Sequence, residues 1–125
     1  MRGGEKMLNR IALVGRLTFD PELHYVGEGI PLCTFSIAVK RPYSSPTGDR
    51  DVDFIKVIAW RKLAKNCADH LGKGRLVAVD GRLQIRDYEN GDGEKRRVGE
   101  VVAQDVHFLD WPKDGDGGET KEEAV

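Results

Sequence analysis

Apolar and polar residues exchange places at every second position over most of this chain, the period of half-buried β-strands. Residues 8–18 set Ile11, Leu13 and Leu17 against Arg10, Ala12 and Arg16. A short run at 23–26 lies between Asp20-Pro21 and Gly27-Glu28-Gly29, both turn signals. Residues 31–39 place Cys33, Phe35, Ile37 and Val39 on one face and Thr34, Ser36 and Ala38 on the other. Further strand-like runs follow at 54–60, 75–88, 95–103 and 106–109. Asn90-Gly91-Asp92-Gly93 is a hairpin signal between two of them. Gly15 and Gly81 interrupt strands and mark a bulge or sharp bend, as small barrels use.

One segment has a different period. Leu63, Ala64, Cys67, Ala68 and Leu71 recur as the apolar stripe of a helix. Gly72 is expected to cap it in the left-handed conformation. Five main strands with a helix between the third and fourth predict an all-β fold, a five-stranded OB-fold barrel.

The run 54–60 carries the most information. Ile55, Val57 and Ala59 form an aliphatic face suited to a core. The opposite face carries Phe54, Lys56, Ile58 and Trp60, a mixture of rings and a cation. Such a surface can stack bases and neutralise phosphates. A central strand buried on both sides, with Lys56 snorkelling to solvent, produces the same pattern.

Charge modifies the picture locally. The 125 residues have a formal net charge of -1, which does not announce a polyanion partner. The acid is concentrated at one end: residues 111–125 hold Asp114, Asp116, Glu119, Glu122 and Glu123 against Lys113 and Lys121. With little to bury, that stretch is expected to be a disordered acidic tail. The domain plan is an extension at 1–6, an OB-fold domain at 7–110 and the tail at 111–125. Cys33 and Cys67 are expected to be buried packing residues and not a disulfide. The N-terminus has no apolar signal-peptide core and no run approaches transmembrane length, so a cytoplasmic, nucleoid-associated location is expected.

Catalytic and metal-binding motifs are not found. His24, His70 and His107 stand at no ligand spacing. Asp49, Asp51 and Asp53 open like a calcium loop, but Phe54 and Trp60 occupy the positions that require Gly and Glu. No cofactor and no enzymatic activity are expected. Aromatics do recur beside cations: Tyr43 near Arg41 in the long polar loop, Phe54 and Trp60 about Lys56, and Tyr88 with Arg86 before a hairpin bearing Lys95, Arg96 and Arg97. Core packing competes for Phe54 and Trp60. Tyr43 and Tyr88 lie in polar, turn-flanked surroundings that a core does not use.

The series Met7-Leu-Asn-Arg-Ile-Ala-Leu-Val-Gly-Arg-Leu-Thr-Phe-Asp-Pro-Glu-Leu-His-Tyr25, Asp53-Phe-Ile-Lys-Val-Ile-Ala-Trp-Arg-Lys-Leu-Ala64, Leu71-Gly-Lys-Gly74, Val79-Asp-Gly-Arg-Leu83, Tyr88-Glu-Asn90 and Glu100-Val-Val-Ala103 resembles bacterial single-stranded DNA-binding proteins. The resemblance spans residues 7–109 in the family's order. It implies an OB-fold, usually a homotetramer, that binds and protects single-stranded DNA without regard to sequence in replication, recombination and repair. It carries base-stacking roles onto Tyr43, Phe54, Trp60 and Tyr88, and phosphate contacts onto Arg10, Lys56, Lys73 and Arg86. A primosomal-type accessory protein binding DNA and a replication partner is the alternative within the fold; an OB-fold enzyme or carbohydrate binder is a different class. Family chains often begin at the equivalent of Met7, which marks 1–6 as an alternative start or extension. Members that recruit replication and repair enzymes close an acidic tip with Pro-Phe. Here Lys121-Glu-Glu-Ala-Val125 has acid without an aromatic anchor, which argues against such recruitment through the tail and fits a second, shorter family member.

Overall fold

The computed structural model describes residues 6–43, 46 and 51–110. The expected acidic tail, the first five residues and most of the loop after Tyr43 lie outside them. Six strands and one helix run in the order β1 (Ile11–Leu17), β2 (Glu22–Val26), β3 (Ile30–Lys40), β4 (Val52–Trp60), α1 (Arg61–His70), β5 (Leu76–Glu89) and β6 (Lys95–Phe108). The strands hydrogen-bond in the order β1-β5-β6-β4-β3-β2, and β1 also pairs with β3. That last pairing, Arg16 with Ala38 and Leu17 with Ile37, closes five strands into a barrel. β2 is a hairpin extension of β3. All pairings are antiparallel except β4 with β6, which run parallel through Lys56–Glu100, Val57–Val101 and Ile58–Val102. This is the OB-fold barrel, with α1 following the third and preceding the fourth of its five closing strands in the chain and packing chiefly on β3 and β4.

The core follows from the alternation. Phe35, Ile37, Val57, Ala59, Val77, Val79 and Val101 are buried, with Ala64, Cys67 and Leu71 of the α1 stripe packed on them. Cys33 and Cys67 are free buried thiols. Burial pushes the Cys33 thiol up to about 11, and burial, with Cys33 nearby, pushes Cys67 up to about 12. Neither thiol is ionised at neutral pH, which agrees with a packing role.

Two glycines make closure possible. A Cβ on Gly15 would stand 2.5 Å from the Ala38 carbonyl oxygen. A Cβ on Gly81 would run into the Val102 carbonyl and lie 2.9 Å from the Ala103 Cα. Gly81 sits at a bulge in the β5–β6 ladder, where Asp80 pairs with Asp105 and Gly81 with Ala103, so that Gln104 is the extra residue. β1 passes through Gly15 without a break. The close approach of β3 explains that glycine, where a bulge or bend was expected.

Three sequence expectations are corrected. The two short runs at 95–103 and 106–109 are one strand, because the bulge absorbs the break in alternation. β1 is shorter than the run at 8–18, since its pairing with β5 ends at Ile11. The cap of α1 is Leu71 in an extended conformation, and the left-handed glycine is Gly74 (φ 90°), not Gly72. The hairpin turn is as read: Gly93 has φ 81°, and Asn90 Oδ1 accepts from the N–H groups of Asp92 (2.9 Å) and Glu94 (3.0 Å).

Asp110 latches the end of the barrel. Its carboxylate accepts from Arg75 Nε (3.2 Å), the Leu76 N–H (3.1 Å) and Arg16 Nη1 (3.1 Å). Partial burial opposes its charge, yet the Leu76 N–H and the two guanidiniums together hold its pKa below the usual carboxylate range.

Gly81→Ala is expected to lower stability by about 1–3 kcal/mol, because the added methyl meets backbone and not a movable side chain. That corresponds to a melting shift of about 4–8 °C per kcal/mol for a domain of this size. Gly91→Ala, with nothing within 4 Å, is the control and should melt close to the parent. Equal melting temperatures for the two variants would refute the closure argument.

Candidate nucleic-acid interface

β4 turns its two faces to different environments. Val57 and Ala59 are fully buried and Ile55 packs against the same core. On the other face Phe54 is 56% and Trp60 40% exposed. Core packing is thereby excluded for both rings. Across the ladder from Phe54, Lys56 and Ile58 stand Ala38, Ser36 and Thr34 of β3. These short side chains do not rise beside the longer ones of β4.

The other neighbour of β4 is β6, and beyond it β5. Lys56 pairs with Glu100, and Glu100 pairs in turn with Gln84. Arg86 and Tyr88 project from the same face of β5 as Gln84, two and four residues on. Tyr88 is 45% exposed. A shallow groove of about 250 Å³ runs over this surface, lined by Leu32 and Thr34 of β3, Lys56, Ile58 and Trp60 of β4, Gln84 and Arg86 of β5, and Glu100 of β6.

Trp60 ends β4 in an extended conformation, and Arg61 begins α1 at once with φ 61°. A left-handed conformation costs a non-glycine residue about 1–2 kcal/mol. It makes the turn from strand to helix without a loop, so Trp60 is held between two rigid elements. Nothing in the local sequence distinguishes Arg61 as left-handed.

Tyr43 follows β3 and is exposed. The chain leading to it is fixed by Arg41. That guanidinium donates to both carboxylate oxygens of Asp53, at 3.0 and 2.7 Å, and the Arg41 N–H donates to the Asp51 carbonyl at 2.7 Å. The hydrogen bond from Arg41 holds the Asp53 carboxyl below its ordinary range.

The four expected phosphate-contacting cations divide into two pairs. Lys56 and Arg86 line the groove together. Arg10 lies at the β1–β5 edge and donates to both carboxylate oxygens of Asp80, at 3.2 and 2.9 Å. Lys73 lies in the turn after α1, where its N–H donates to Asp20 at 2.8 Å. Neither Arg10 nor Lys73 lines the groove. Two of the hairpin cations are paired locally, Arg96 with Glu94 at 2.7 Å and Arg97 with Asp87 at 3.1 Å; all four side chains are more than half exposed, so these contacts hold them only weakly.

Sequence reasoning gave Glu100 no role. It is buried, and both Lys56 and Arg86 rest on it. The available signal was an acid at an outward position of the run Val98–Ala103, which is otherwise apolar apart from Gly99.

A closed small barrel that turns rings and cations outward along one curved face is an OB-fold with a surface for planar, anionic ligands. The model of the Single-strand binding protein family matches residues 8–109, and the chain belongs to that family. It is 49% identical over 114 residues to "Single-stranded DNA-binding protein 3" of Listeria innocua, covering 91% of this chain and 71% of that one. It is 51% identical over 104 residues to "Single-stranded DNA-binding protein" of Halalkalibacterium halodurans, covering 83% and 62%. With "Single-stranded DNA-binding protein A" of Bacillus subtilis it shares 51% identity over 111 residues, covering 89% and 64%. These relatives are longer than this chain, which in the last two matches spans less than two thirds of their length.

The exposure of Phe54 has a direct consequence for stability. Phe54→Ala should shift melting by less than about 1 kcal/mol, as for a surface position. Phe35→Ala, in the core, should cost about 3–5 kcal/mol. Comparable losses in thermal melts of the two variants would place Phe54 in the core and remove β4 as a binding surface.

Proposed function

We propose that this chain binds single-stranded DNA without regard to sequence, and protects it during replication, recombination and repair, as a binding protein and not an enzyme. The observation that carries this reading is the face shared by Phe54, Trp60 and Tyr88 with Lys56 and Arg86. Every base offers a π-face, so stacking tolerates any sequence, while the cations neutralise the backbone. Tyr43 extends the row of rings beyond the end of β3. Arg10 and Lys73 are assigned to phosphates along the path of a longer strand, outside the groove. The OB-fold domain, residues 7–110, is the unit that binds, and it acts inside the cell on DNA.

The working form is a homotetramer. Residues Ile11–Gly15 of β1 pair with β5 along one edge and with no strand among the described residues along the other, since the pairing of β1 with β3 is confined to Arg16 and Leu17. Ala12 and Val14 on this strand are exposed. An open strand edge with small apolar side chains supports pairing with a second copy about a two-fold axis.

Tryptophan fluorescence tests the reading. The chain has two tryptophans, Trp60 and Trp111. Adding poly(dT) should quench the emission, and most of the quench should survive in Trp111→Phe and vanish in Trp60→Phe. Phe54→Ala should bind more weakly by roughly 5- to 150-fold, the cost of one lost stack. Light scattering on the same protein should give four times the chain mass. A protein with no quench and no shift of poly(dT) mobility at low salt would defeat the functional reading; a monomer mass at micromolar concentration would defeat the tetramer.

A further inference from the structure

Glu100 is the one charged residue among the described residues that is buried, at 1% exposure. It lies on the outer side of β6: its neighbour Val101 points into the core, so the alternation of the strand sends Glu100 the other way. Its partners are all groove residues. Oε1 accepts from Arg86 Nε at 3.3 Å and from Gln84 Nε2 at 3.5 Å. Oε2 accepts from Arg86 Nη2 at 3.2 Å and Nε at 3.3 Å, and Lys56 Nζ stands 3.8 Å away. The cation side chains remain 45% and 40% exposed above it.

A buried carboxylate requires a partner, and one cation meets that need. Two cations drawn to one acid is a different arrangement. Arg86 and Lys56 are long, flexible side chains, and on an open surface each would have to be immobilised when a phosphate arrives. The planar fork of Arg86 on Glu100 fixes its orientation before any ligand is present. We propose that Glu100 is a positioning residue of the DNA interface: from beneath the groove floor it holds Arg86 and Lys56 where they meet phosphates. The inference rests on the single-stranded DNA reading above and deepens it.

Simple charge counting makes the opposite prediction. Glu100→Gln raises the charge of the groove by one and should tighten binding to a polyanion. Positioning predicts that binding weakens, by about tenfold, the worth of one charged hydrogen bond. It also predicts that the slope of log K against log salt becomes shallower by about 0.7, one phosphate fewer on a single strand. The experiment is a dT-oligonucleotide titration of the full chain across a series of salt concentrations, below the melting temperature of each variant. Glu100→Gln should cost less in an Arg86→Ala background than in the parent, the remainder being the share carried by Lys56; an equal cost in both backgrounds would overturn the link through Arg86. Arg86→Lys, which leaves Glu100 intact and keeps the charge but lacks the fork, should weaken binding about as much as Glu100→Gln. It keeps the test decisive if the Glu100 variant does not fold.

Glu100→Gln binding as tightly as the parent or tighter, or a weaker Glu100→Gln with an unchanged salt slope, would overturn the assignment. So would Arg86→Lys binding like the parent. If the parent itself does not bind dT, the functional reading falls; if the parent binds and only these outcomes fail, Glu100 alone loses its role.

Discussion

The barrel closes where backbone meets backbone with no side chain between. The Ala38 carbonyl stands over Gly15, and the Val102 carbonyl stands over Gly81. Through the first contact β1 reaches β3; at the second the β5–β6 ladder bulges. Once the sheet is closed it has a single inside, and period-two alternation divides every strand between that core and the exterior. Phe35, Val57 and Val101 fall inside. Phe54, Lys56, Trp60, Gln84, Arg86 and Glu100 fall outside, on strands that are neighbours in the sheet order β5-β6-β4. β4 and β6 are far apart in sequence, and their parallel pairing is what brings Lys56 beside Glu100.

The outer face then works as a layered surface. Short residues of β3 flank the side chains of β4. The buried Glu100 lies under Arg86 and Lys56. Trp60 is held where a strand passes directly into a helix. Each of these features fixes the position of a group before a ligand arrives, which lowers the ordering cost of binding. Lys56 and Arg86 carry two positive charges over one negative, so the groove is locally positive without the strong field of a highly basic protein. That is compatible with a chain whose net charge is -1.

Much of the fold was legible in the residues because strand alternation, the helical stripe at 63–71 and the Asn90–Gly93 turn are local signals. The two-faced nature of β4 could be read as a pattern, but alternation does not say which face is covered. Exposure of Phe54 and Trp60 depends on what the neighbouring strands place beside them, and that is tertiary information. The single strand β6 shows two alternation patterns in the sequence because a bulge shifts the alternation by one residue. Glu100 could not be assigned a role from its position, since its meaning depends on a cross-strand contact with Lys56. The phosphate roles of Arg10 and Lys73 rest on the resemblance alone, and both residues lie outside the groove that Lys56 and Arg86 share.

On the function proposed above, single-stranded DNA lies on the outer face of β3, β4, β6 and β5. Photo-crosslinking with 5-iodouracil-substituted oligonucleotides, followed by mass spectrometry of the linked peptides, tests it most directly. Adducts are expected on Phe54, Trp60 and Tyr88, with Tyr43 joining as the oligonucleotide is lengthened. Adducts concentrated on α1 or on the β2–β3 hairpin, with the β4 peptide unmodified, would contradict it.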